Sequence, residues 1–239
     1  MSKAVIFDLD GVIVTTDDCH YQAWKRMADE EGIYFDRVIN ERLRGVSRME
    51  SLAIILEKSA RPYSEQQKRE MAERKNRYYC ELIKNLSSRD ILPGVMEILK
   101  ILKQKGVKIA IGSSSKNALL ILKQVGLESC FDTVADGNDI KHSKPDPEVF
   151  LVAARKMGVR PQDCLVVEDA DAGIEAAKAG GMQVLGIGFA ANNLKADHVA
   201  ASLLDPNAWL ILMNETHKEE MRSKNHQTCQ PTIPGEPLT

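Results

Sequence analysis

The chain has 239 residues, 44% of them hydrophobic, and a formal net charge of −2, enough apolar material for one large domain or two modest ones. Such a balance excludes the basic surface that a nucleic-acid or membrane-surface partner demands, and the acids are not blocked into a tail. The charge-poor stretch 180–194 is glycine-rich and too short to span a bilayer, and the N-terminus meets Asp8 and Asp10 before an apolar signal core can form.

Residues 4–7 (Ala-Val-Ile-Phe) read as a buried strand. Asp8 and Asp10 follow it two residues apart, so in extended geometry both carboxylates point one way, with Gly11 allowing a sharp turn. Asp17 or Asp18 offers an N-cap for a helix over 19–31, where Ala23, Trp24, Met27 and Ala28 recur at helical spacing. Helical patterns return at 38–43, 49–58 and 64–86, and strand-like runs only after Pro93. From there, helices are expected over 93–105, 116–126, 147–157 and 170–179, alternating with strands at 107–111, 131–135, 164–167 and 182–187. Alternation of this kind predicts an α/β fold, a doubly wound, Rossmann-like parallel sheet. An α-helical block over 15–90 is inserted into a core made of 1–14 and 91–216. Residues 217–239 are polar and proline-bearing and read as a disordered tail, in which His217, His226 and Cys229 are more naturally solvated side chains than metal ligands. The five cysteines, Cys19, Cys80, Cys130, Cys164 and Cys229, lack Cys-x-x-Cys spacing and suit a reducing cytoplasm.

Four polar clusters fall at expected strand ends. Asp8-x-Asp10-Gly11 is either a solvated turn or a cation site. Residues 112–117 (Gly-Ser-Ser-Ser-Lys-Asn) stand between a strand and a helix, where hydroxyls and free N–H groups favour an anion such as phosphate, or where a serine simply caps the helix. Lys144, held between a turn and Pro145, can deliver one charge to a fixed point. Glu168 and Asp169 either cap the next helix or hold a hard cation. Assembled, the four would surround a magnesium-bound phosphoryl group.

In this order Asp8-x-Asp10-Gly11, Ser113, Lys144-Pro145 and Glu168-Asp169 resemble the motifs of the haloacid dehalogenase superfamily, over nearly all of residues 4–190. The resemblance implies that Asp8 is a nucleophile forming an aspartyl phosphate and Asp10 a general acid/base. It implies Mg2+ held by Asp8, Asp10, Glu168 and Asp169, with Asp169 the surer of the last two, and a phosphoryl group held by Ser113, Ser114 and Lys144. The inserted block, through residues 18–24, 43–48 and 74–76, is similar to the cap of the β-phosphoglucomutase family, and the likeness extends to Ser115-Lys116-Asn117. That implies exchange of β-D-glucose 1-phosphate and glucose 6-phosphate through β-glucose 1,6-bisphosphate, with a sugar-phosphate phosphatase as the alternative. His20, Trp24, Gly45, Val46, Ser47, Arg48, Lys75, Ser115, Lys116 and Asn117 would then contact the sugar phosphate, Arg48 acting as a fork-shaped donor to the phosphate remote from the chemistry. Thr15 and Thr16 would be the hinge; the family commonly carries an acid where this chain has Thr15. The expected partner is a small-molecule sugar phosphate, with no nucleic acid and no membrane, and a monomer suits a moving cap.

Overall fold

Short runs of aliphatic residues without a polar interruption make strands that are buried on both faces. In the computed structural model, which describes residues 3–217, six of them are formed: β1 (Ala4–Phe7), β2 (Lys108–Gly112), β3 (Thr133–Ala135), β4 (Cys164–Glu168), β5 (Gln183–Gly186) and β6 (His198–Val199). They pair in parallel in the order β3-β2-β1-β4-β5-β6. This order reverses direction at β1, so the crevice beyond the carboxyl ends of β1 and β4 is where the doubly wound fold binds ligands.

Four of the helices between β1 and β2 form a separate layer: α1 (Asp17–Glu30), α2 (Arg37–Glu41), α3 (Arg48–Leu56) and α4 (Glu65–Ile83). They enclose a core of their own, in which Trp24, Met27, Phe35, Leu52, Ile55 and Met71 are buried. Burying each such side chain contributes roughly 1.5–3 kcal/mol. Ala23, Tyr79 and Ile83 leave that group and join the main core, so α1 and α4 bind the helical layer to the sheet.

The remaining helices are α5 (Val95–Gln104), α6 (Ala118–Val125), α7 (Glu148–Met157), α8 (Asp171–Ala179) and α9 (Pro206–His217). Side chains alternate along the strands. Val5, Phe7, Ile109, Ile111, Leu165 and Val167 therefore face α5, α6 and α9, whereas Ala4, Ile6, Ala110 and Val166 face α7 and α8.

Several local expectations are revised. Helix α1 begins at Asp17, and neither Asp17 nor Asp18 is its cap; Thr16 holds that position, but its hydroxyl donates to Asp10 Oδ1 and accepts from no helix N–H. Lys116 and Asn117 precede α6, and no serine caps it: the Ser113 and Ser115 hydroxyls accept from the N–H groups of Ser115 and Asn117. Helix α9 and strand β6 were not anticipated. The signal for α9 is Asp205-Pro206, in which the Asp205 carboxylate accepts from the N–H of Asn207 and Pro206 opens the helix. Beyond His217, the expected tail lies outside the described residues, and so do His226 and Cys229. Cys19, Cys80, Cys130 and Cys164 are free thiols. Among the described residues no helix is long and apolar enough to cross a membrane.

Candidate active site

Because β1, β2 and β4 are parallel and in register, the residues that end them arrive at one edge. The Asp8 N–H donates to the Val167 carbonyl at 2.9 Å, and the Ser113 N–H to that of Ala135 at 3.0 Å, so sheet-like pairing fixes both backbones just past the strands. Gly11 turns the chain there with φ +83, and a Cβ on it would stand 2.1 Å from Asp169 Oδ2, so this turn and that carboxylate need a glycine.

Lys144 reaches this edge from the loop before α7. Its Nζ donates to Asp8 Oδ1 and, at 2.8 Å, to Glu168 Oε2; all three side chains are buried. Burial alone would lower the lysine pKa, but Asp8 and Glu168 outweigh it and hold the ammonium protonated above its ordinary range. The other Glu168 oxygen accepts from the N–H groups of Asp169 and Ala170 at 3.2 and 3.1 Å. Glu168 is thus turned beneath the site toward Lys144, whereas Asp169 faces the cavity. Burial raises the pKa of Glu168 to about 7 and that of Asp169 to about 8, with neighbouring carboxylates adding to the effect in both cases. Oxygens of Asp8, Glu168 and Asp169 lie within 4.8 Å of one another. Ionised together, three buried carboxylates with one lysine between two of them would carry uncompensated negative charge, and an all-oxygen set of this kind fits a hard divalent cation that favours the ionised forms. The Asp10 side chain stands apart from the group and meets Thr16, and enclosure raises its pKa to about 7.

Above these acids lies a cavity of about 650 Å³ between the sheet edge and the helical layer. Its walls hold Asp8, Asp10, Asp169, Ser113, Ser114 and Lys144 from the sheet side, joined by Ser115, Lys116 and Asn117. From the helical side come His20, Trp24, Gly45, Val46, Ser47, Arg48 and Lys75. Every residue expected to act on or bind the sugar phosphate is therefore in the wall except Glu168, just beneath it; Thr15 and Thr16 lie on the segment leading to α1, where the Thr15 N–H donates to the Asp90 carbonyl.

Local chemistry explains several placements. Ser47 caps α3 in a reciprocal box with Glu50, so its hydroxyl serves the helix, and Arg48 becomes the first residue of that helix. Gly45 has φ +71 and approaches α8 so closely that a Cβ would lie 3.0 Å from the Ala170 methyl. Arg48 is half-buried, with its pKa lowered by desolvation, and it has no carboxylate within ion-pair distance among the described residues. Lys116 is exposed and equally unpaired. The Ser114 hydroxyl is buried without a hydrogen-bond partner among the described residues. Lys75 Nζ and His20 Nδ1 lie 2.9 Å apart, and burial together with Lys75 and Arg48 pushes the His20 pKa well down, leaving its imidazole neutral.

The sequence reading missed Arg44 and Tyr79. Arg44 pairs with Asp17 at 2.6 Å and Glu41 at 2.8 Å, lies over the Phe189 ring and comes within 4.0 Å of Asp169, joining the helical layer to the acid group. Tyr79 packs on His20 with ring centroids 4.2 Å apart. Neither has a motif; Arg44 stands inside the segment 43–48 already noted, next to Gly45.

Comparison with known proteins agrees with this geometry. A family model described as haloacid dehalogenase-like hydrolase matches residues 2–181. The chain is 44% identical over 205 residues to a β-phosphoglucomutase of Bacillus subtilis strain 168, covering 85% of this chain and 91% of that protein. It is 33% identical to a phosphorylated carbohydrates phosphatase of Thermotoga maritima, covering 89% and 99% of the two chains. Among solved structures, a β-phosphoglucomutase from Clostridium difficile superposes with a TM-score of 0.84 at 42% identity, over 93% of this chain and all of that one. With the family match spanning both the acids beyond β1 and those beyond β4, the chain belongs to the haloacid dehalogenase-like hydrolase family.

Proposed function

We propose that this protein is a cytoplasmic, monomeric sugar-phosphate mutase that interconverts β-D-glucose 1-phosphate and glucose 6-phosphate. The observation that carries the reading is the pair of uncompensated cations, Arg48 and Lys116, on the wall of the cavity that also holds Asp8. One site for phosphoryl transfer and a second for an anion that is only held is what a mutase requires, because its bisphosphate intermediate carries both at once.

In this reading residues 15–90 are a cap over the core. Asp8 attacks phosphorus in line and becomes an aspartyl phosphate, while Lys144 neutralises charge on the transferring oxygens. Asp10, with its pKa near 7, carries the proton delivered to the departing sugar oxygen and removes it from the attacking hydroxyl in the return step. Thr16, at the root of the cap, orients Asp10 through its hydroxyl, so cap position and acid position are linked. Ser113 and Ser114 flank the phosphoryl group; His20 and Lys75 meet the sugar beside Trp24. Mg2+ would be held by the Asp8, Glu168 and Asp169 carboxylates and the Asp10 carbonyl, Glu168 also steadying Lys144. When bound it supplies Lewis-acid neutralisation of the phosphoryl oxygens.

The sugar-phosphate phosphatase reading keeps Asp8, Asp10 and Lys144 and lets water open the phosphoenzyme; the likeness to the Thermotoga phosphatase supports it. Incubation of the protein with β-glucose 1-phosphate, magnesium and a trace of β-glucose 1,6-bisphosphate distinguishes the two. Glucose 6-phosphate is the expected product, and stoichiometric release of inorganic phosphate without it would overturn the mutase reading.

A further inference from the structure

Arg48 stands on α3 in the helical layer and Lys116 in the loop beyond β2, so an anion held by both depends on the register of the two layers. One hydrogen-bonded contact sets that register beside Lys116. The Asn117 amide nitrogen donates to Asn76 Oδ1 at 3.0 Å, and its amide oxygen accepts from the Cys80 thiol at 3.6 Å. Asn76 and Cys80 are four residues apart on α4, hence one turn apart on one face of the helix. Both ends of the Asn117 side chain are thus engaged by the opposite layer. The loop behind it is stiff: the Asn117 N–H donates to the Ser115 hydroxyl and the Ser115 N–H to that of Ser113. A displacement of α4 is therefore passed to Asn117, then to Lys116 and back to Ser113.

Resting on the remote-anion reading above, we infer that Asn76 and Cys80 are positioning residues for the remote phosphate, acting through Asn117. The Asn117 amide makes one bond to each, and these bonds fix Asn117 and the neighbouring Lys116 opposite Arg48. The same contact shields Cys80, which is half-buried behind it.

The test has two arms on the full chain. In the ligand-free protein, modification of Cys80 by iodoacetamide, followed at that residue by peptide mass spectrometry, is expected to be about threefold to tenfold faster in Asn76→Ala than in the wild type, the range set by one partly buried hydrogen bond. In turnover of β-glucose 1-phosphate, Asn76→Ala is expected to raise KM by a similar factor with a much smaller change in kcat. Cys80→Ala is expected to raise KM about twofold, the thiol being a weak donor, and Cys80→Ser, which keeps an O–H donor, to restore it. Unchanged Cys80 labelling would overturn the contact. Faster labelling with unchanged KM, or Cys80→Ser behaving as Cys80→Ala, would overturn the positioning role. The labelling arm needs no substrate, so a protein that fails to convert glucose 1-phosphate still decides whether the contact holds the layers.

Discussion

The two ends of the cavity treat charge in opposite ways. At the sheet edge, Lys144 is buried between Asp8 and Glu168, and two backbone N–H groups complete Glu168. At the far wall, Arg48 and Lys116 meet no carboxylate among the described residues, and on the helical side Lys75 is sealed between Trp24 and Tyr79 with a neutral imidazole as its polar neighbour. A cation already paired with carboxylates stays fixed through a reaction; a cation left unpaired gains by binding an anion. The contrast assigns chemistry to one end and ligand retention to the other.

The largest expected effect breaks the end where the cation is paired. Lys144→Met would leave Asp8 and Glu168 buried and facing each other without their cation, and removing one partner of a buried ionic group costs roughly 3–5 kcal/mol. Urea unfolding at neutral pH should therefore show a midpoint shift of that order, with phosphoryl transfer lost. A variant as stable as the wild type would mean that the Lys144 ion pairs do not hold this edge together.

Arg48→Ala sharpens the comparison from the other side. Since Arg48 has no ion pair to lose and is held in partial burial against its desolvation cost, urea stability should change by less than about 0.5 kcal/mol. Affinity should change far more. Loss of a charge-assisted hydrogen bond to phosphate, on the order of 1.5–3 kcal/mol, predicts a KM for β-glucose 1-phosphate raised about 10- to 100-fold, and Arg48→Lys should recover only part of it. Equal KM values for wild type and Arg48→Ala would remove the remote-anion site.

The same contrast explains what could be read from the sequence. Acids at the ends of aliphatic runs are conspicuous, because a strand buried on both faces has few places for a carboxylate other than its end, and the parallel sheet then brings Asp8, Ser113 and Glu168 to one edge. The adjacency of Glu168 and Asp169 did not reveal that one turns down to Lys144 and the other up to the cavity; that division follows from the register of β4 with β1. Contacts between layers left no local trace. Arg44 meets Asp17, Asp169 and Phe189 from three different elements, and Asn117 is engaged by a helix more than thirty positions earlier. Thr16 illustrates competition at a single residue: its sequence position suits a helix cap, yet its hydroxyl goes to Asp10.

A smaller effect, and one with a distinctive pH signature, concerns Lys75. Its side chain is buried, the ammonium is 4.9 Å from the Trp24 ring and 4.5 Å from that of Tyr79, and desolvation with the nearby Arg48 lowers its pKa from 10.5 to about 7. Below pH 7 the lysine is protonated both folded and unfolded, and the folded protein bears the whole cost of the buried charge. Between about 7 and 10.5 the unfolded chain binds the proton and the folded one does not, so this residue makes stability rise with pH across that window. Lys75→Met removes the titration. The variant should exceed the wild type by ~2 kcal/mol in urea unfolding at pH 6, the desolvation relief being partly offset by lost cation–π contacts and the lost His20 contact, and the advantage should shrink steadily by pH 9. A gap independent of pH would show that Lys75 is not held as an uncompensated charge. Arg48→Ala should shift the wild-type rise to higher pH, because it removes the second cause of the lowered pKa, and that shift would tie the stability of the helical layer to the same charge that waits for the ligand.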